Sequence, residues 1–186
     1  MTDKIGRNKL KSEWRNRWQL EKILTKTTQT AITYLGSPLS TLNTKTRGDI
    51  LEKFARHVDE MIMRLTTSDA IKNGKRTCEY DYLRNMTRVE VKSGQLCWNG
   101  SGKHWFVKFR DIKPGLYDEL CLVLYTPKAL YIFKHDSVGL TTNGKLSKVK
   151  GLYLNYNAPR NMIDWETALE YIISNIGKIF YTWSFM

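Results

Sequence analysis

The stretch Glu79-Tyr80-Asp81-Tyr82-Leu83-Arg84-Asn85-Met86-Thr87-Arg88-Val89-Glu90-Val91-Lys92 decides the reading of this chain. Thr77 to Leu83 alternates in polarity, Val89 to Cys97 is rich in β formers, and Arg84 to Thr87 is a hairpin-like link between them. On a strand, residues two apart share a face, so Glu90 and Lys92 point the same way, roughly 6–7 Å apart. Val89 and Val91 then point into the core. If the two strands pair antiparallel, Asp81 comes near Glu90. Two carboxylates and an ammonium converge on one site. Burying two carboxylates together is costly unless a cation neutralises them. A hard divalent ion such as Mg²⁺, with Mn²⁺ as a substitute, does that through oxygen ligands. Asp81 and Glu90 are the candidate ligands, with the backbone carbonyl of Val91 as a third oxygen. Lys92 is placed to orient or deprotonate a metal-activated water and to stabilise charge on a phosphate. These are the parts needed for metal-dependent phosphodiester hydrolysis.

Working outward, a helix is expected upstream from Arg47 to Leu65. Ile50, Leu51, Phe54, Val58, Met61, Ile62 and Leu65 recur there at three and four residues. Thr46 or Asp49 is its expected cap, and Glu52 lies near the border of the apolar stripe. A basic amphipathic helix is expected over Leu10–Lys26, carrying Arg15 and Arg17. Downstream, strands are expected at His104–Phe109, Leu120–Tyr125 and Leu130–Phe133, with a short extra strand at Leu152–Tyr156. A closing helix follows over Asp164–Phe180, and Ile172 to Met186 reads as buried helix and tail. The order of helices and strands implies an α/β fold at the α+β boundary, with a mixed central sheet of about five strands flanked by helices. One domain is expected over 1–186: a basic helix and loop at 1–46, a catalytic core at 47–135, and a basic loop and helix at 136–186.

With 186 residues, 41% of them apolar, the chain is long enough to bury a core without metals or disulfides. It carries 30 Lys and Arg against 18 Asp and Glu, a net charge of +12. The excess sits mainly in residues 1–50 (net +6) and 101–150 (net +5), whereas 151–186 are net −1. Clustered positive charge is the electrostatic footprint of a polyanion binder. Lys145, Lys148 and Lys150 form a basic loop suited to phosphate contacts, as do Arg15 and Arg17. Cys78, Cys97 and Cys121 form no CxxC pair and are odd in number, which argues against a zinc site or a disulfide framework and fits an intracellular, cytoplasmic setting. No secretory leader or membrane span is visible.

Asp81 followed by Glu90-Val91-Lys92 on the next strand, with Glu52 on an upstream helix, resembles the PD-(D/E)XK nuclease superfamily, and its restriction-endonuclease-like members most. The resemblance covers about residues 47–135. It implies a restriction-endonuclease-like core and a Mg²⁺-dependent DNA endonuclease, type II restriction-like, that hydrolyses phosphodiester bonds with a metal-activated water. It implies Asp81, Glu90 and Lys92 as catalytic residues, with Glu52 as a further metal ligand. It also implies DNA as partner and is compatible with a homodimer. Tyr80 stands where the family pattern has proline, and the usual strand–helix–strand crossover is not evident, since Asp111–Glu119 contains Pro114 and Gly115. A structure-specific repair or recombination nuclease, and a non-catalytic nucleic-acid-binding module, are the alternative readings.

The chain holds a second acid-x-lysine triplet, Asp111-Ile112-Lys113, with no Asp or Glu in residues 91–110 to partner it. Glu79 shares a face with Asp81, and Gln95 is expected on the face opposite Glu90. His57, His104 and His135 read as structural or surface residues.

Overall fold

The hairpin at the centre of the sequence is the start of the main sheet. In the computed structural model, which describes residues 29–136 and 152–185, Asn85 and Met86 have φ of 47° and 68°. Two consecutive left-handed residues make the tight turn whose twist suits a two-residue hairpin. The turn joins β4 (Tyr82–Arg84) to β5 (Thr87–Gln95), with Tyr82 opposite Val89 and Arg84 opposite Thr87. The strand expected over Thr77–Leu83 is therefore only its last part. Residues before it form β1 (Thr67–Asp69), which extends the same sheet beyond β4, and a small separate hairpin of β2 (Ile71–Lys72) and β3 (Lys75–Arg76).

Further strands are β6 (Cys97–Asn99), β7 (His104–Ile112), β8 (Glu119–Tyr125), β9 (Ala129–Asp136), β10 (Leu152–Asn157) and β11 (Ile179–Ser184). The main sheet has six strands in the order β1-β4-β5-β8-β9-β11, rather than about five. It is mixed, as expected: β5 and β8 run parallel, with Glu90 opposite Leu120 and Lys92 opposite Leu122, and the other pairs are antiparallel. Parallel neighbours need a crossover. Here the crossover passes through β6 and β7, which with β10 form a three-stranded second sheet. A β connection thus stands where the family pattern has a helix.

The helices are α1 (Gln29–Thr33), α2 (Thr44–His57) and α3 (Trp165–Ile176). Asn43 caps α2 by accepting from the Thr46 amide, so the helix starts before the expected Arg47. It ends in a π turn, Val58–Ile62, where the Met63 amide donates to the Val58 carbonyl at 3.0 Å. That wide turn shifts the periodicity by a residue. Asp59 is buried, whereas Met61 and Ile62, expected in the apolar stripe, are exposed. α3 ends at Gly177, and the expected helical tail is instead β11, paired with β9.

Two apolar layers sandwich the main sheet. Val89, Val91, Cys121 and Val123 face Leu51 and Ala55 of α2 and Val58 of the π turn that follows it. Leu120, Leu122 and Leu124 face Trp105, Val107 and Phe109 of β7 and Leu169, Ile172 and Ile176 of α3. Burial on both faces explains the unbroken apolar run of β8. No described helix is long and apolar enough to cross a membrane.

The second sheet approaches β5 closely at Gly94. A Cβ there would lie 2.7 Å from Val107 Cγ2 and 2.9 Å from the Phe109 ring, and both side chains are fully buried. Neither can move aside without disturbing the core. Gly94→Ala is expected to lower stability by about 1–3 kcal/mol through overpacking, read as an earlier urea midpoint at unchanged slope. An unchanged midpoint would mean that the two sheets separate freely.

Candidate active site

Asp81 sits where β4 and β5 part. Its amide donates to the Val89 carbonyl at 2.9 Å, the last backbone bond of that ladder. The next β5 donor, the Val91 amide, meets the Asp81 carboxylate instead, at 2.6 Å to Oδ2. The side chain takes over the strand's hydrogen bond, and the register that sets Tyr82 against Val89 brings Asp81 level with Glu90. The convergence expected from the sequence is found in the structure.

Glu90 is buried, only 8% exposed, and its carboxylate is ion-paired with the Lys92 ammonium two residues along. Burial, then the charges of Asp81 and Glu52, push the Glu90 carboxyl up to about 7 against the pull of Lys92. Burial also raises the Asp81 carboxyl, against the Val91 amide and Lys92. Glu52, on α2, is raised by burial and then by Asp81. The helix thus delivers its carboxylate to the same site as the hairpin.

Of these groups Asp81, Lys92 and Glu52 line a cleft of about 600 Å³ between α2 and β7, whereas Glu90, buried and paired to Lys92, is not among its lining residues. Asp81, Val91 and Lys92 lie on one side, Arg47 and Glu52 come from α2, and Lys108, Arg110 and Asp111 come from β7. Gln95, expected away from Glu90, also lines the cleft, since the cleft wraps round β5 to the helix side. Asp111, of the triplet without a hairpin partner, stands in its wall. Glu79 is bonded to Lys72 at 3.0 Å and is not among the lining residues. Arg15, Arg17, Lys145, Lys148 and Lys150 lie outside the described residues.

The sequence reading missed the β7 wall and Arg47. The signal was present in the even-numbered polar residues of β7, His104, Lys108 and Arg110, which alternate with Trp105, Val107 and Phe109. Thiol chemistry has no footing here. The three cysteines are free, and burial raises Cys97 to about 11.

The donors suit a hard cation: they are oxygens, and burial and mutual repulsion hold excess negative potential on them. Among the described residues, no three His, Cys, Asp or Glu side chains close on one point. The fit is therefore to a two-carboxylate site open to solvent, with Asp81 and Glu90 as the pair. Magnesium commonly keeps several waters and needs only one or two protein carboxylates.

The raised Glu90 value has a thermodynamic consequence. Its folded value, about 7, exceeds the ordinary carboxyl value of 4.5, so folding favours the protonated form. The associated stability is fully present below about pH 4.5 and is lost as pH rises through 7. At 1.36 kcal/mol per pH unit, the loss is on the order of 3 kcal/mol. In chelator, Glu90→Gln is expected to remove this fall from urea melts recorded between pH 5 and 8. An equally steep fall in the variant would assign the pH dependence to other groups.

No protein-family model matches the chain, and no curated protein matches it. Among solved structures, that of a bacterial homing endonuclease is similar at 20% identity, over 61% of this chain and 74% of that chain, with a TM-score of 0.35. The site stands on its own geometry.

Proposed function

We propose that this chain is a divalent-cation-dependent DNA endonuclease of the restriction type. One observation carries the reading: Asp81 and Glu90 lie level across a hairpin, Lys92 is paired to the buried Glu90, and Asp81, Lys92 and Glu52 line one cleft. Buried carboxylates that raise one another's pKa cost stability, and a structural role gives no return for that cost. The net charge of +12 suits a polyanionic substrate.

In this reading Asp81, Glu90 and the Val91 carbonyl would hold Mg²⁺, with Glu52 as a further candidate ligand. When bound, such an ion polarises a phosphoryl oxygen and makes a neighbouring water more acidic. The protein's own groups do the rest. The Val91 amide fixes the Asp81 carboxylate. Lys92 is paired with Glu90, and with a cation on the carboxylates its ammonium would be available to stabilise the charge that builds on the phosphate. Arg47, Lys108 and Arg110 supply positive charge along the walls of the cleft for the flanking phosphates.

The test is plasmid and linear duplex DNA incubated with the protein in Mg²⁺, with EDTA in parallel. Cutting that EDTA abolishes, and that yields discrete fragments, supports a site-specific endonuclease. Cutting of branched substrates alone would favour a structure-specific enzyme. No cutting of any DNA in Mg²⁺ or Mn²⁺ sinks the catalytic reading.

A further inference from the structure

The ribbon formed by β7 and β10 has two chemically unlike faces. Its inward face, including Trp105, Val107, Phe109 and Leu154, is buried in the core. Its outward face is polar. The register sets Asn155 opposite Lys108 and Asn157 opposite Phe106, so these residues share that face. The outward positions of the two strands hold one carboxylate, Asp111 at the end of β7, against the cations Lys108 and Arg110.

The pairing also contains a bulge. Leu152 lies opposite Ile112 and Leu154 opposite Phe109, so Arg110 and Asp111 together face Tyr153 alone. Asp111 has a φ of 57°, the left-handed conformation such an irregularity uses. Strict alternation would bury one of the pair, but both Arg110 and Asp111 are exposed and line the cleft. The bulge redirects the ribbon's polar face into the space beside Asp81 and Lys92.

The two cations of this face are kept available. Lys108 rests its ammonium 3.8 Å from the centre of the Tyr153 ring. Among the described residues neither Lys108 nor Arg110 forms an ion pair, whereas Arg56, Arg84, Arg88, Lys92 and Lys134 each do. Asn155 Oδ1 is buried and has no hydrogen-bond partner among the described residues, so this half-buried amide is not held in place through its oxygen.

We propose that this outward face is the surface that recognises the substrate, lying in the major groove of duplex DNA. The proposal rests on the nuclease reading and adds to it a recognition element. β6 flanks β7 only at His104–Phe106, and beyond it the paired strands, about 4.8 Å apart, make a two-stranded ribbon that the roughly 12 Å major groove admits. Outward residues recur about every 6.6 Å along a strand, close to two base-pair steps at roughly 3.4 Å each. Lys108 and Arg110 bring the positive charge, and Asn155 and Asn157 bring amides that pair with base edges. The cleft beside the ribbon then takes the backbone that is cut.

The test uses the full chain and a pool of 40-base-pair duplexes with a randomised centre, with Ca²⁺ in place of Mg²⁺. Wild type is expected to enrich a sequence motif. Asn157→Ala is expected to enrich a motif relaxed at one or two base pairs. Lys108→Ala and Arg110→Ala are expected to bind every duplex at least tenfold more weakly. Each should also lower the slope of log affinity against log salt by about one. Lys72→Ala, a charge control away from the cleft, should stay within about twofold. Melting curves accompany each variant. Where Arg110→Ala fails to fold, Arg110→Lys keeps the charge, loses the planar fork, and should keep the motif and the salt slope while binding every duplex more weakly than wild type.

If the ribbon variants bind and enrich as wild type does, the recognition surface lies elsewhere and the nuclease reading survives. If wild type binds no duplex, both fall. An RNA duplex of the enriched sequence should bind at least tenfold more weakly, because its deep, narrow major groove excludes side chains. Equal binding of that RNA overturns the proposal.

Discussion

Replacing Lys92 by alanine is expected to lower the single-turnover cleavage rate by roughly a hundred- to thousandfold, the usual effect of removing one well-placed group that stabilises transition-state charge. The affinity for duplex DNA should change little, because Arg47, Lys108 and Arg110 remain in the cleft. The loss has two parts that can be separated. Lys92 is the ion-pair partner of Glu90 and one of the groups that lower its carboxyl value. Without it, Glu90 holds its proton more tightly and competes less well for a cation. Raising pH and Mg²⁺ concentration recovers that part. The remainder, which neither recovers, belongs to the ammonium itself. A variant restored completely by pH and Mg²⁺ would make Lys92 a positioning residue for Glu90. A rate unchanged in Lys92→Ala would remove this site from the chemistry.

Periodicity carried the hairpin, because each strand alternates and the turn is short. It placed Val89 and Val91 inward and brought Asp81 level with Glu90, as the structure has them. It was weaker where local geometry departs from a regular repeat. The π turn buries Asp59 and exposes Met61 and Ile62, and an ideal helical period inverts that assignment. The bulge on β7 turns Arg110 and Asp111 outward together, which strict alternation forbids. β11 follows α3 after only Gly177 and Lys178, whereas the sequence pattern predicts helix as far as Phe180 and a buried tail beyond it, and the strand that forms there is largely exposed. A short apolar run fits either state; here it is pairing with β9 that makes it a strand. The crossover through a second sheet has no local signature at all, since it is the tertiary packing of Gly94 against Val107 and Phe109 that sets it.

Asp59→Ala is expected to produce the largest loss of stability, about 3–5 kcal/mol, and to impair the site from a distance. Asp59 is 1% exposed, yet it accepts from the Tyr82 hydroxyl at 2.7 Å, from the Lys134 ammonium at 2.6 Å and from Arg84 at 3.3 Å. Arg84 also forks onto Glu119 at 2.8 and 2.5 Å. Two carboxylates therefore balance two cations, and Lys134 and Arg84 are only 14% and 13% exposed in their side chains. Removing Asp59 leaves a surplus buried positive charge and an unpartnered Tyr82 hydroxyl, the expensive way to break such a network. At roughly 2–4 °C per kcal/mol for a chain of this size, Tm should fall by on the order of 10 °C. In a double-mutant cycle, Lys134→Met is expected to recover part of the loss, because it removes the cation that Asp59 neutralised. Strict additivity of the two changes would show that the network is not coupled. The functional consequence follows from the chain. Tyr82 and Arg84 are two of the three residues of β4, and Asp81 directly precedes them. Asp59 thus ties down the strand that holds the Asp81 carboxylate against the Val91 amide. At a temperature where Asp59→Asn remains folded, cleavage should require more Mg²⁺ than in wild type while DNA affinity holds. An unchanged Mg²⁺ requirement would confine Asp59 to stability and leave Asp81 positioned by β5 alone.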